Sequence, residues 1–221
     1  MKLVVFDVDG TLVDSQHLIV AAQGVAFAEN GLPAPERREA LSVVGLSLPQ
    51  AFRRLVGEDG PIVELSESYK QAYNRLRLDP AHEEPLFPGM AELLATLQGR
   101  DDMLIGLATG KSRRGVDRLI AHYGWGDWFV TTQSADDAPS KPDPAMLRQA
   151  MDEAGCGPEA TIMVGDTTFD IGMGVAAGAT AVGVAWGYHP PEALYGAGAA
   201  TVVPSAAALE AHLLGAMDTM R

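Results

Sequence analysis

Two aspartates, Asp7 and Asp9 in the run Asp7-Val8-Asp9-Gly10-Thr11, stand just after a short apolar stretch. Two more, Asp166 and Asp170 in Gly165-Asp166-Thr167-Thr168-Phe169-Asp170, follow a second such stretch. Taken singly, the first run reads as an Asp-Gly turn, and Asp170 as an acid complementing a helix dipole. Together they imply carboxylates converging at one edge, an arrangement that repels itself unless a cation neutralises it. Oxygen donors with no His or Cys beside them select Mg²⁺ over zinc. Two other segments carry the complementary pattern. Thr109-Gly110-Lys111-Ser112 offers a hydroxyl, a permissive glycine and the backbone amides of a helix start, which cradle anions. Ser140-Lys141-Pro142 adds one ammonium group. The sum suits a phosphoryl group, whose transfer depends on positioning and charge neutralisation. A carboxylate beside Mg²⁺ can attack phosphorus and form an aspartyl-phosphate. A second carboxylate two residues on can protonate the leaving oxygen and then deprotonate water.

These segments meet only if the stretches before them are parallel strands of one sheet. Residues 3–6, 103–108, 162–164 and 181–185 are nearly continuous apolar runs, as strands covered on both faces are. Residues 128–131 and 201–203 are weaker strand candidates. Helical patterns over 90–98, 112–123, 144–154 and 169–177 alternate with them, each closed by a glycine. This alternation predicts an α/β fold, an open Rossmann-like parallel sheet whose carboxyl edge binds ligands. Residues 15–87 break the rhythm. They hold no predicted strand, and Ile62, Leu65, Tyr69, Tyr73 and Leu76 repeat at helical spacing behind Gly60-Pro61. Such a length exceeds a plain crossover. It predicts an all-helical insertion, residues 15–87, dividing a core made of residues 1–14 and 88–221.

In this order Asp7-Val8-Asp9-Gly10-Thr11, Thr109, Lys141-Pro142 and Gly165-Asp166 with Asp170 resemble the haloacid dehalogenase superfamily of phosphatases. Phe87-Pro88-Gly89 and Gly178-Ala179 resemble its phosphoglycolate-phosphatase branch. The resemblance spans essentially the whole chain, because the insertion falls where that family's C1 cap sits. It implies Asp7 as nucleophile and Asp9 as general acid and base. It further implies Mg²⁺ held by Asp7, the Asp9 backbone carbonyl and Asp166, with Asp170 in or just outside that set. Thr109, Gly110 and Lys141 would bind the transferring phosphoryl. The implied reaction is hydrolysis of a small phosphorylated metabolite, with phosphoglycolate-like compounds favoured. Two other readings stay open, a β-phosphoglucomutase-like phosphosugar mutase and a non-enzymatic phospho-acceptor module. Leu48 aligns where such mutases carry an arginine and phosphonatases a lysine, which argues against both. The long insertion counts against an acceptor module.

Composition narrows the partners. Twenty-nine acidic against 16 basic residues, a net charge of −13, argues against nucleic acid. An anionic substrate must then be held by a few placed cations. No apolar run approaches the ~20 residues that cross a bilayer, no secretory leader is visible, and the single Cys156 suits a reducing cytoplasm. The expected partner is therefore a small metabolite, with neither nucleic acid nor membrane, on a monomer or homodimer. Arg53, Arg54 and Lys70 read as solvated helix charges. Trp125, Trp128 and Phe129 read as packing, Trp186, Tyr188 and His189 as packing at the cleft rim, and His17 as exposed.

Overall fold

The computed structural model of the chain describes residues 1–218. Six strands form one parallel sheet: β1 Lys2–Phe6, β2 Met103–Ala108, β3 Phe129–Gln133, β4 Thr161–Gly165, β5 Thr180–Val184 and β6 Thr201–Val203. Their order is β3-β2-β1-β4-β5-β6. Strand direction reverses its progress across the sheet between β1 and β4, the kind of switch point that opens a crevice at the carboxyl edge. Phe6 pairs with Leu107 on one side and Val164 on the other, so Asp7 leaves the sheet level with the ends of both neighbours.

Alternate residues of β1 serve two cores, as pleating requires. Val4 and Phe6 pack with Leu93, Leu97, Leu119 and Leu209, against helices α5 Met90–Gln98, α6 Arg113–Tyr123 and α10 Ala206–Asp218. Leu3 and Val5 pack with Met146, Leu147 and Met173, against α7 Ala145–Ala154 and α8 Thr168–Ala177. Trp125 and Phe129 join the first core edge-to-face, in the packing role expected of them. The predicted helices all form, with Ser112 and Thr167 capping α6 and α8 from just outside. The short α9 Pro191–Gly196 and α10 were not foreseen in the sequence.

Between β1 and α5 lie four α-helices, α1 Gln16–Glu29, α2 Arg37–Ser42, α3 Leu48–Val56 and α4 Ile62–Leu76. They enclose a small core of their own, in which Phe27, Phe52 and Leu65 pack with Tyr69. The two chain segments joining this insertion to the sheet lie side by side. Val13 bridges Leu86 in antiparallel fashion, the Asp14 amide donates to the Pro85 carbonyl at 2.8 Å, and the Phe87 amide donates to the Leu12 carbonyl at 2.9 Å. Among the described residues no helix is long and apolar enough to cross a membrane.

Candidate active site

Four strand ends deliver the polar groups. β1 ends into Asp7, whose amide donates to the Val164 carbonyl at 2.9 Å. β2 ends into Thr109, whose amide donates to the Gln133 carbonyl at 3.0 Å. β4 ends into Gly165 and Asp166, and the loop before α7 carries Lys141. Asp7, Thr109, Lys141, Asp166 and Asp170 are all buried.

Asp7, Asp166 and Asp170 each bring a carboxylate oxygen within 4.8 Å of the others. The Lys141 ammonium donates to Asp7 Oδ1 at 2.8 Å and to Asp170 Oδ1 at 2.6 Å, with no exposure on any of these side chains. Thr11 Oγ1 and the Tyr188 amide donate to the two oxygens of Asp166, both at 2.8 Å. Asp170 fills two roles at once. Its second oxygen accepts from the Thr167 amide and hydroxyl in a capping box, while the first holds Lys141. Asp7 Oδ2 is buried without a hydrogen-bond partner. Three carboxylates against one ammonium leave an excess of negative charge. Burial pushes the Asp7 carboxyl up to about 7, Lys141 opposes it, and Asp170 and Asp9 add to the push. Burial, with Asp170 and Asp7, likewise holds Asp166 well above its ordinary value. An unpartnered buried oxygen in a hard-oxygen cluster fits a divalent cation such as Mg²⁺.

The Asp9 carboxylate turns away from this cluster. It accepts from the Ser15 hydroxyl and pairs with Lys111, whose Nζ lies 2.8 Å from Asp9 Oδ1. Lys111 also donates to Tyr73 Oη at 2.9 Å and to Glu84 Oε1 at 3.1 Å, tying the core to α4 and to the chain leaving the insertion. A second contact lies across the site. A Cβ on Gly110 would come within 2.8 Å of the Gly45 and Leu46 carbonyl oxygens, so glycine is required there by close backbone approach. Ser140 Oγ accepts the Ser47 amide at 2.9 Å. Gly10 is equally constrained, with positive φ of 87° and Asp166 against its open face.

A family model described as haloacid dehalogenase-like hydrolase matches residues 4–184. The chain belongs to the haloacid dehalogenase-like hydrolases. It is 37% identical over 196 residues to a probable phosphatase, IndB, of Dickeya dadantii, covering 87% of this chain and 84% of that protein. It is 32% identical over 193 residues to a phosphoglycolate phosphatase of Pseudomonas savastanoi, covering 85% of this chain and 71% of that one. A hydrolase from Pseudomonas syringae superposes with a TM-score of 0.84 at 26% identity, over 100% of this chain and 99% of that one. Within the haloacid dehalogenase-like hydrolases the chain falls in the phosphoglycolate-phosphatase-like branch.

The structure brings Asp7, Asp166, Asp170 and Lys141 into direct contact or near contact. Thr109 lies at the same sheet edge, where its hydroxyl accepts the Lys111 amide at 3.2 Å. Arg53 and Lys70 pair at the surface with Glu58 and Glu67, as solvated helix charges do. Arg54 differs, lying 4.8 Å over the Phe169 ring. The rim residues do more than pack. The Tyr188 amide holds Asp166, the Trp186 indole donates to the Thr11 carbonyl at 3.0 Å, and His189 accepts the Thr168 amide at 3.1 Å. Lys111, Ser15, Thr11 and Glu84 were not singled out from sequence. Lys111 and Thr11 left a trace there, as parts of the Thr-Gly-Lys-Ser run and of the run that opens on Asp7.

Proposed function

We propose that this hydrolase cleaves phosphoric monoesters of a small anionic metabolite, of which phosphoglycolate is the shortest kind, through an aspartyl-phosphate on Asp7. The observation that supports this most is the state of Asp7: one oxygen held by Lys141, the other buried and unpartnered at the sheet's carboxyl edge. Such a carboxylate is oriented yet has a free electron pair to offer phosphorus. Asp7, Asp166 and the Asp9 backbone carbonyl would hold Mg²⁺, with Asp170 beside them. The ion would supply charge neutralisation for the phosphoryl oxygens.

The remaining work falls to side chains of the chain itself. Asp7 attacks phosphorus while Lys141, Thr109 and the Gly110 amide hold the phosphoryl oxygens. Asp9, kept in place by Ser15 and Lys111, gives a proton to the leaving oxygen. It then takes one from the water that hydrolyses the acyl phosphate. Residues 15–87 act as a cap, closing over the site through Lys111 and the Gly45–Gly110 approach to exclude bulk water.

The test is phosphate release from p-nitrophenyl phosphate and phosphoglycolate, with Mg²⁺, by the intact chain and by Asp7→Asn. The variant is expected to keep its melting temperature and lose turnover by at least about 1,000-fold. Phosphate release by Asp7→Asn near the parent rate would rule out the covalent route.

A further inference from the structure

A cavity of about 600 Å³ opens beside Asp9, between α4 and α6. Five of the chain's 16 lysines and arginines line it: Lys70, Arg77, Lys111, Arg114 and Arg118. In a protein of net charge −13 that concentration needs a cause. The carboxylates on its wall do not supply one. Asp9 and Glu84 are both taken by Lys111, and Lys70 pairs with Glu67 outside. Three arginines then share the cavity with Glu83 and with whatever of the Glu84 charge Lys111 leaves over.

Their surroundings show crowding that is compensated only in part. Burial lowers Arg118 from its ordinary value, and the charges of Arg77 and Arg114 lower it further, outweighing the opposing pull of Tyr73 and Glu84. Arg118 spends its donors on neutral oxygens, Nη1 to Asn74 Oδ1 at 2.9 Å and Nε to the Arg114 carbonyl at 3.1 Å. Arg77 Nε is buried with no hydrogen-bond partner. Guanidinium groups held near one another with donors unspent are a receptor for a carboxylate or phosphate.

We infer that the substrate carries a second anionic group, a carboxylate or a phosphate, and that Arg77, Arg114 and Arg118 bind it. The inference rests on the phosphatase reading above and narrows its substrate class. Position gives the spacing. Arg114 and Arg118 stand one turn apart on α6, Lys111 lies just ahead of that helix, and Arg77 directly follows the facing α4. At 1.5 Å of rise per residue Arg114 and Arg118 are about 6 Å apart along α6. The fitting leaving group ends in negative charge.

Substrates of one length that differ only in the far group test this. Values of kcat/KM for hexyl phosphate, ω-phosphohexanoate and hexanediol bisphosphate are compared, with Mg²⁺ and p-nitrophenyl phosphate as the reference. At least one doubly anionic compound is expected to exceed hexyl phosphate by ~10- to 100-fold. The better of the two says whether the far group is a carboxylate or a phosphate. Combined Arg77→Gln and Arg118→Gln should bring that ratio close to one, acting on KM rather than kcat. Arg148→Gln, on the exposed face of α7, should leave the ratio where it was. Equal kcat/KM for the charged and neutral compounds, or a ratio that survives the double variant, overturns the inference. Failure to hydrolyse p-nitrophenyl phosphate as well would instead sink the phosphatase reading, and the inference with it.

Discussion

Replacing Lys141 by methionine keeps most of the side chain's volume and removes one charge from a fully enclosed group. The ammonium sits 2.8 Å from Asp7 and 2.6 Å from Asp170, and no water reaches any of the three side chains. Breaking a buried pair from one side costs about 3–5 kcal/mol, because the stranded charge has no solvent to turn to. Here the stranded groups have an escape, since Asp7 already holds its proton up to about pH 7 with Lys141 in place. Protonation limits the loss to the lower end, about 3 kcal/mol at pH 8. For a chain of this length that lowers Tm by roughly 6–12 °C. The sign with pH follows from linkage. A carboxyl whose folded pKa lies above its unfolded value loses stability as pH rises past the unfolded value, so the gap to the parent protein widens from pH 6 to pH 8. Thermal melts of both proteins at the two pH values, with and without Mg²⁺, measure it. The cation should raise the variant's Tm more than the parent's, by replacing part of the missing charge. A gap under about 2 °C that ignores both pH and Mg²⁺ would refute the electrostatic account of this cluster.

Chelation gives a second measurement. If Asp7, Asp166 and Asp170 hold a divalent ion, Mg²⁺ at a hundred times its Kd adds about 2.7 kcal/mol, and EDTA removes the resulting rise in Tm. Glu84 gives a third, in acid. Burial would raise this carboxyl, but Lys111, the Tyr73 hydroxyl and Arg118 outweigh it and hold it below its usual 4.5. Its contribution is therefore complete above about pH 4.5 and is lost as pH falls through the lowered value, so Glu84→Gln should flatten the acid limb of Tm against pH. Gly110→Ala is the fourth: its methyl meets two carbonyl oxygens at 2.8 Å, and overpacking of this kind costs about 1–3 kcal/mol, seen as a lower Tm with an altered KM.

The parts of this protein that were readable in its sequence are those whose signal is local. Residues 3–6 and 162–164 declare buried strands because nothing polar interrupts them, and the aspartates that follow are carried to one edge by any parallel sheet. The strand β3 starts one residue later than its pattern suggests, beside a register shift at Ile105 and Gly106. Helix α10 escaped notice because its alanine-rich stretch lacks a strongly one-sided apolar face. Lys111 shows the deeper limit. In sequence it belongs to an anion-cradling turn, yet its partners Tyr73 and Glu84 come from 38 and 27 residues away and are brought to it only by the insertion folding back. The pairing of Val13 with Leu86 is equally silent, being a single bridge with no periodicity to betray it.

That bridge has a bearing on how such an insertion can arise and how the proposed cap would move. Because the polypeptide departs and returns through neighbouring positions, the sheet sees little more than a short closed turn, whatever lies beyond it. Enlarging or exchanging the helices adds almost nothing to the entropy of bringing those two points together, since that quantity grows only with the logarithm of length. If residues 15–87 act as the cap proposed above, the same narrow ribbon would be the axis of its swing, with the contacts of Lys111 and Gly110 on the far side. A lineage could thus trade one lid for another while the chemistry beneath stayed untouched.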